Sequence, residues 1–112
     1  MIRVLRRSDH FWADALKQID WYRENASPEV AEGYVNALEA TLQALAKTPG
    51  LGRPRFQSWP ELAGIRSWRI ERPFHRHLIF YRFDKEILMA ERVLHGARDL
   101  PRRLLQSPYE DG

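Results

Sequence analysis

Residues 49–54 read Pro-Gly-Leu-Gly-Arg-Pro, a stretch that neither a helix nor a central strand can cross. The prolines lack the amide hydrogen that both ladders need, and the glycines lose the most chain entropy on being ordered. On the two sides of this break the apolar residues follow different periods. Before it they recur every three or four residues, as on one face of a helix; after it they fall in short β-branched and aromatic runs. A chain of 112 residues has room for one hydrophobic core. The helical half and the strand half must bury their apolar faces against each other, which predicts a two-layer α+β domain.

Ile2-Arg3-Val4-Leu5-Arg6 alternates as a short opening strand does. Ser8 or Asp9 then offers an N-cap. Phe11, Trp12, Ala15, Leu16, Ile19 and Tyr22 form one helical stripe, with Lys17, Asp20, Arg23 and Glu24 on the wet side. Ala26-Ser27-Pro28-Glu29 stops and restarts the chain: Ser27 caps, Pro28 suits the first helical position, and Glu29 lies near the positive end of the dipole. Ala31, Tyr34, Val35, Leu38, Leu42, Leu45 and Ala46 mark a second helix. So short a link between them predicts an antiparallel helical hairpin.

Past the break, residues 65–71, 75–83 and 86–94 read as strands, the last two joined tightly at Asp84-Lys85. Leu78-Ile79-Phe80-Tyr81 is apolar on both faces, so its strand is expected to be central and covered on both sides. Residues 99–105 suit a last helical turn or two. The predicted order is β-α-α-β-β-β with a short C-terminal helix: a helical hairpin packed on an antiparallel sheet. It forms one domain over residues 1–106, followed by a loose tail over residues 107–112.

Charge is divided unevenly. Between Arg53 and Arg103 stand twelve basic residues, eleven of them arginine, against six acidic ones, whereas residues 1–52 carry six basic and seven acidic. An arginine-studded sheet suits phosphates or carboxylates, because guanidinium grips both bidentately and keeps its proton. If these side chains share one accessible surface, that surface takes an anionic guest. The 44% hydrophobic and 12% aromatic content excludes a disordered chain. The absence of cysteine excludes disulfides, thiolate nucleophiles and zinc–thiolate sites. No apolar run approaches the ~18 residues of a membrane span, and the one after Met1 is too short for a leader. A soluble, cytoplasmic protein with no membrane partner is expected.

Among candidate functional residues, Arg66 and Arg69 point to opposite faces of their strand. With Trp68 facing the helices, Arg69 lies on the open face. Arg76 and Arg82 belong to the same basic strand half, and Arg82 is equally suited to a structural partner. His95 has the intrinsic pKa of a general base, although a strand-end histidine more often bonds the turn that follows. His75 and His77 share a strand face, but no third ligand is evident, so no metal site and no cofactor are expected. Arg98-Asp99 reads either as a phosphate hook with an orienting carboxylate or as a structural Arg beside a helix-capping Asp. Trp12, Trp21 and Tyr22 are more aromatic surface than one helix needs for its core, so an exposed Trp12 or Trp21 would be a docking anchor.

In order along the chain come a helical hairpin, Pro49 to Gly52, the step Leu62-Ala63-Gly64, a strand ending Ile79-Phe80-Tyr81-Arg82, and Arg92-Val93-Leu94-His95-Gly96-Ala97-Arg98-Asp99. This set resembles the RelE/ParE superfamily of toxins from bacterial type II toxin–antitoxin modules, over residues 2–105, and its ending is most similar to the ParE branch. The resemblance implies a growth-inhibiting toxin, with DNA gyrase as the ParE target and ribosome-bound mRNA as the RelE target. It also implies a hetero-oligomer with a cognate antitoxin. That partner is expected to be of the ribbon-helix-helix type, its acidic C-terminal region laying a helix along the hairpin and adding a strand at the sheet edge. Trp12, Trp21, Arg69, Arg76, Arg82 and Arg98 are the residues expected to meet antitoxin or target. The metal-independent ribonuclease branch carries a basic pair, which falls here on Ser67 and Arg69, and a tyrosine, which falls near Leu104. Such an enzyme would have to work through Arg69, His95 and Arg98. Losing proton-transfer groups each worth 10²–10⁴-fold argues for the gyrase branch and against catalysis.

Overall fold

In the computed structural model, which describes residues 1–96 and 99–109, strand β1 (Val4–Arg7) leads into helices α1 (Asp9–Asn25) and α2 (Pro28–Lys47). Strands β2 (Arg53–Pro54), β3 (Arg66–Arg69), β4 (His77–Phe83) and β5 (Ile87–His95) follow, and α3 (Leu100–Leu105) comes last. The sheet order is β1-β5-β4-β3-β2. The predicted α+β layout is present, with two details beyond it. β1 joins β5 in parallel, pairing Val4 with Ile87, and the short β2 extends the far edge by pairing Arg53 with Ser67.

Both caps form as their residue types dictate. The Ser8 hydroxyl accepts from Phe11 N at 3.0 Å and donates to Glu91 O at 2.8 Å, tying the start of α1 to β5. Ser27 accepts from Val30 N at 3.1 Å, with Pro28 in the first turn of α2. Hence the hairpin turns in two residues.

The sheet is covered on both sides along β4. Ile79 and Tyr81 face the hairpin and meet Phe11, Tyr34, Leu38, Leu42 and Leu45. Phe80 faces the other way, into a smaller cluster of Leu62, Ile65, Leu94, Leu100 and Leu104. Each of these large side chains contributes roughly 1.5–3 kcal/mol of burial free energy. The α2 stripe is buried as its spacing predicts, but the α1 stripe is only half used. Trp12 and Leu16 stay 46% and 55% exposed, because they stand at the edge of the stripe. Asp14, at a phase next to Phe11, is buried instead.

Tyr81 fastens the Pro-Gly break to the sheet. Its hydroxyl donates to Pro49 O at 2.5 Å and accepts from Gly52 N at 2.9 Å. A Cβ at Gly52 would overlap that hydroxyl and stand 2.8 Å from the Ser67 carbonyl, so only glycine fits. Residues 107–109 lie along α1: the Pro108 carbonyl accepts from Lys17 Nζ, and the Tyr109 ring stands edge-on to His10.

Candidate functional site

The arginines of the second half divide into those fastened inside the molecule and those left open. Arg92 is 6% exposed. Its Nε and Nη2 grip the Asp14 carboxylate at 2.6 and 2.9 Å, and its Nη1 donates to the carbonyls of Arg103 and Gln106 at 3.1 and 2.7 Å. A cation at a helix C-terminus satisfies carbonyls that have no partner in the helix. One guanidinium thus joins α1, β5 and the end of α3. Neither Asp14 nor Arg92 stands out in composition, but an acid on the buried phase of α1 is the signal that a buried cation must meet it.

Arg82 is likewise occupied. Its Nη1 meets Glu91 at 2.5 Å, its Nε donates to Ala63 O at 2.9 Å, and its Nη2 donates to Glu61 O at 3.1 Å. The sequence left Arg82 either a docking cation or a structural partner; the geometry occupies it as a tether between β4, β5 and the loop before β3. Arg66 donates to Gly52 O at 2.5 Å, and Arg103 to His95 O at 3.1 Å. The expectation of one shared guanidinium surface therefore holds only in part.

What remains open is a basin on the sheet face opposite the hairpin. Trp68 packs toward the hairpin core, which leaves Ser67 and Arg69 on the other face. Arg53 stands opposite Ser67 across the β2–β3 pair, and Arg55 follows two residues on. Arg53, Arg55 and Arg69 surround a depression of about 490 Å³, completed by Leu51, Ser67, Trp68 and Leu78. Arg55 Nη1 donates to Ser67 Oγ at 2.9 Å, and the Arg69 guanidinium stands 5.7 Å from the Trp68 ring. Partial burial, then the like charge of Arg53, holds the Arg55 guanidinium below its ordinary pKa. Among the described residues, Arg53, Arg55 and Arg69 meet no carboxylate.

A second concave region lies beside α1, where β4 begins and β5 ends. Two depressions of about 340 and 410 Å³ adjoin, sharing Gln18, Trp21, His77 and His95. Trp21 is 55% exposed between them. One side is lined by Lys17, Arg92, Arg103 and Pro108, the other by Tyr22, Phe74 and Arg76. His77 is buried there, with its Nε2 3.0 Å from the Tyr22 hydroxyl and its ring 5.2 Å from that of His95. Burial, then the neighbouring His95, pushes the His77 pKa down to about 4, and burial raises that of Tyr22.

The sequence candidates thus fall at separate places. Arg69 lines the basin; Trp21, Arg76 and His95 line the groove. Trp12 lies on the opposite flank of α1 from Trp21, nine residues or two and a half turns away, with the Arg7 guanidinium 5.6 Å from its ring. His75 is exposed ahead of β4, and His77 is engaged with Tyr22 and His95. Among the described residues no group of three metal-ligating side chains forms, and no helix is long and apolar enough to cross a membrane. Arg98 lies outside the described residues. Asp99 makes no capping bond to α3, so that reading of Asp99 is not met. Leu104 is buried in the smaller cluster and Ser67 is buried under Arg55.

Residues 5–100 match the family described as the ParE toxin of the type II toxin–antitoxin system parDE. No curated protein matches the sequence. The fold is similar to that of a chain in the chromosomal ParDE toxin–antitoxin system of P. aeruginosa, with a TM-score of 0.70 and 21% identity over 86% of this chain and 98% of that one. It is also similar to YafQ from E. coli strain BL21(DE3), with a TM-score of 0.53 and 22% identity over 81% and 90% of the two chains. A chain of the E. coli DinJ–YafQ toxin–antitoxin complex aligns with a TM-score of 0.54 and 17% identity, over 89% and 99%.

Proposed function

We infer that this chain, which belongs to the ParE toxin family of type II toxin–antitoxin systems, is the growth-inhibiting member of a two-protein module and acts by binding DNA gyrase. The observation that carries the reading is the pair of positions where the ribonuclease branch needs working side chains. Ser67 is 5% exposed with its hydroxyl taken by Arg55, and Leu104 is 9% exposed in an apolar cluster. Neither moves a proton, and without such groups RNA cleavage loses orders of magnitude. A toxin built this way acts by occupying a surface.

The cognate antitoxin is assigned to the groove beside α1. An acidic, partly disordered segment fits there: Trp21 offers an exposed aromatic anchor, and Lys17, Arg76 and Arg103 line the depressions around it. The exposed Trp12, on the other flank of α1, is a separate aromatic contact outside this groove. Inducing the chain alone in a bacterium tests the reading. A DNA-damage response with trapped gyrase cleavage complexes is the expected outcome. Immediate arrest of protein synthesis with mRNA cut at the ribosome overturns it in favour of the RelE-like enzyme.

A further inference from the structure

We propose that the basin framed by Arg53, Arg55 and Arg69 grips the phosphodiester backbone of a nucleic-acid strand without cutting it. Three cations open on one depression of about 490 Å³, and no acidic side chain lines it. Elsewhere on the sheet Arg66, Arg82 and Arg92 all have carbonyl or carboxylate partners, whereas among the described residues Arg53 and Arg69 have none and Arg55 meets only the Ser67 hydroxyl. Arg53 and Arg55 lie outside the residues that suggested the toxin family. The like-charge repulsion between them is relieved by an anion bound between them.

The edge geometry favours a nucleic acid over a peptide. A peptide strand added here would need a ladder along the free edge of β2, which is two residues long and contains Pro54, a residue with no amide to donate. A docked helix would need a broad apolar floor, and only Leu51, Leu78 and part of Trp68 supply one. A nucleic acid carries its charge on its own backbone and needs neither. The basin holds such a strand without chemistry: its lining is Arg, Leu, Trp and one serine whose hydroxyl is engaged by Arg55.

The test is the salt dependence of binding to labelled single-stranded DNA, RNA of the same sequence, and a DNA duplex. Three neutralised phosphates give a slope of log K against log salt of about −2 for single strands and about −2.7 for a duplex. Arg53→Gln and Arg69→Gln, both exposed and so expected to melt like the parent, should each flatten the slope by about one. Arg72→Gln and Arg102→Gln, exposed elsewhere, should leave it nearly unchanged. Equal losses from basin and control variants would overturn the proposal, as would no binding to any of the three oligonucleotides. An acidic peptide that binds as tightly and depends on the same two arginines would overturn it too. Gyrase is absent from this assay, so its outcome is separate from that of the topoisomerase reading.

Discussion

Asp14 and Arg92 show how one side-chain pair organises three elements. Both are nearly fully buried, at 8% and 6% exposure, and each satisfies groups that would otherwise be costly to desolvate. Asp14→Ala is expected to lower stability by about 3–5 kcal/mol in urea unfolding, because it leaves a buried guanidinium with no counter-charge. Asp14→Leu combined with Arg92→Met should recover only part of that loss. The carbonyl of Gln106 would remain without its donor. His77 links stability to pH. Its folded pKa of about 4 lies below its ordinary 6.5, so on acidification the unfolded chain takes up the proton first. The contribution is complete above pH 6.5 and declines as pH falls toward 4, by up to about 3 kcal/mol. Stability measured across that window in His77→Gln should fall less steeply than in the parent.

At the scale of elements, the sheet and the break before it are joined through a phenol. Tyr81→Phe removes the bonds to Pro49 O and Gly52 N, leaving two buried groups unpaired at a cost of roughly 1–3 kcal/mol. Thermal melts should show this loss. Gly52→Ala should destabilise by clash, with the phenol still present. The elements themselves were legible because their signals are local. Ser8 and Ser27 cap, Pro28 opens a helix, and the period changes after Pro49. The two-faced apolar run at Leu78-Ile79-Phe80-Tyr81 marked the central strand for the same reason. What stayed hidden depends on contacts between distant segments. The parallel pairing of β1 with β5, and the pairing of β2 with β3, come from where the chain is carried by the hairpin and the loop. An arginine's sequence does not say whether a carboxylate waits in space, so Arg69 and Arg82 look alike until Glu91 is placed.

At the scale of the whole molecule, the two faces differ. The hairpin side carries exposed tryptophans and an aromatic groove; the opposite side of the sheet carries three open guanidinium groups. On the proposed reading, the neutralising antitoxin takes the hairpin side and leaves the opposite face free. Trp21→Ala should therefore weaken antitoxin affinity by about 2 kcal/mol or more, the usual cost of losing an aromatic anchor, and leave toxicity without antitoxin unchanged. Binding by titration calorimetry and growth after induction would check the two halves of that statement. Purified toxin mixed with gyrase and plasmid tests the proposed inhibition of gyrase most directly. Loss of supercoiling with accumulation of cleaved enzyme–DNA complexes, reversed by the cognate antitoxin, is the predicted result. Unchanged supercoiling at an excess of toxin that cuts mRNA on ribosomes would contradict it.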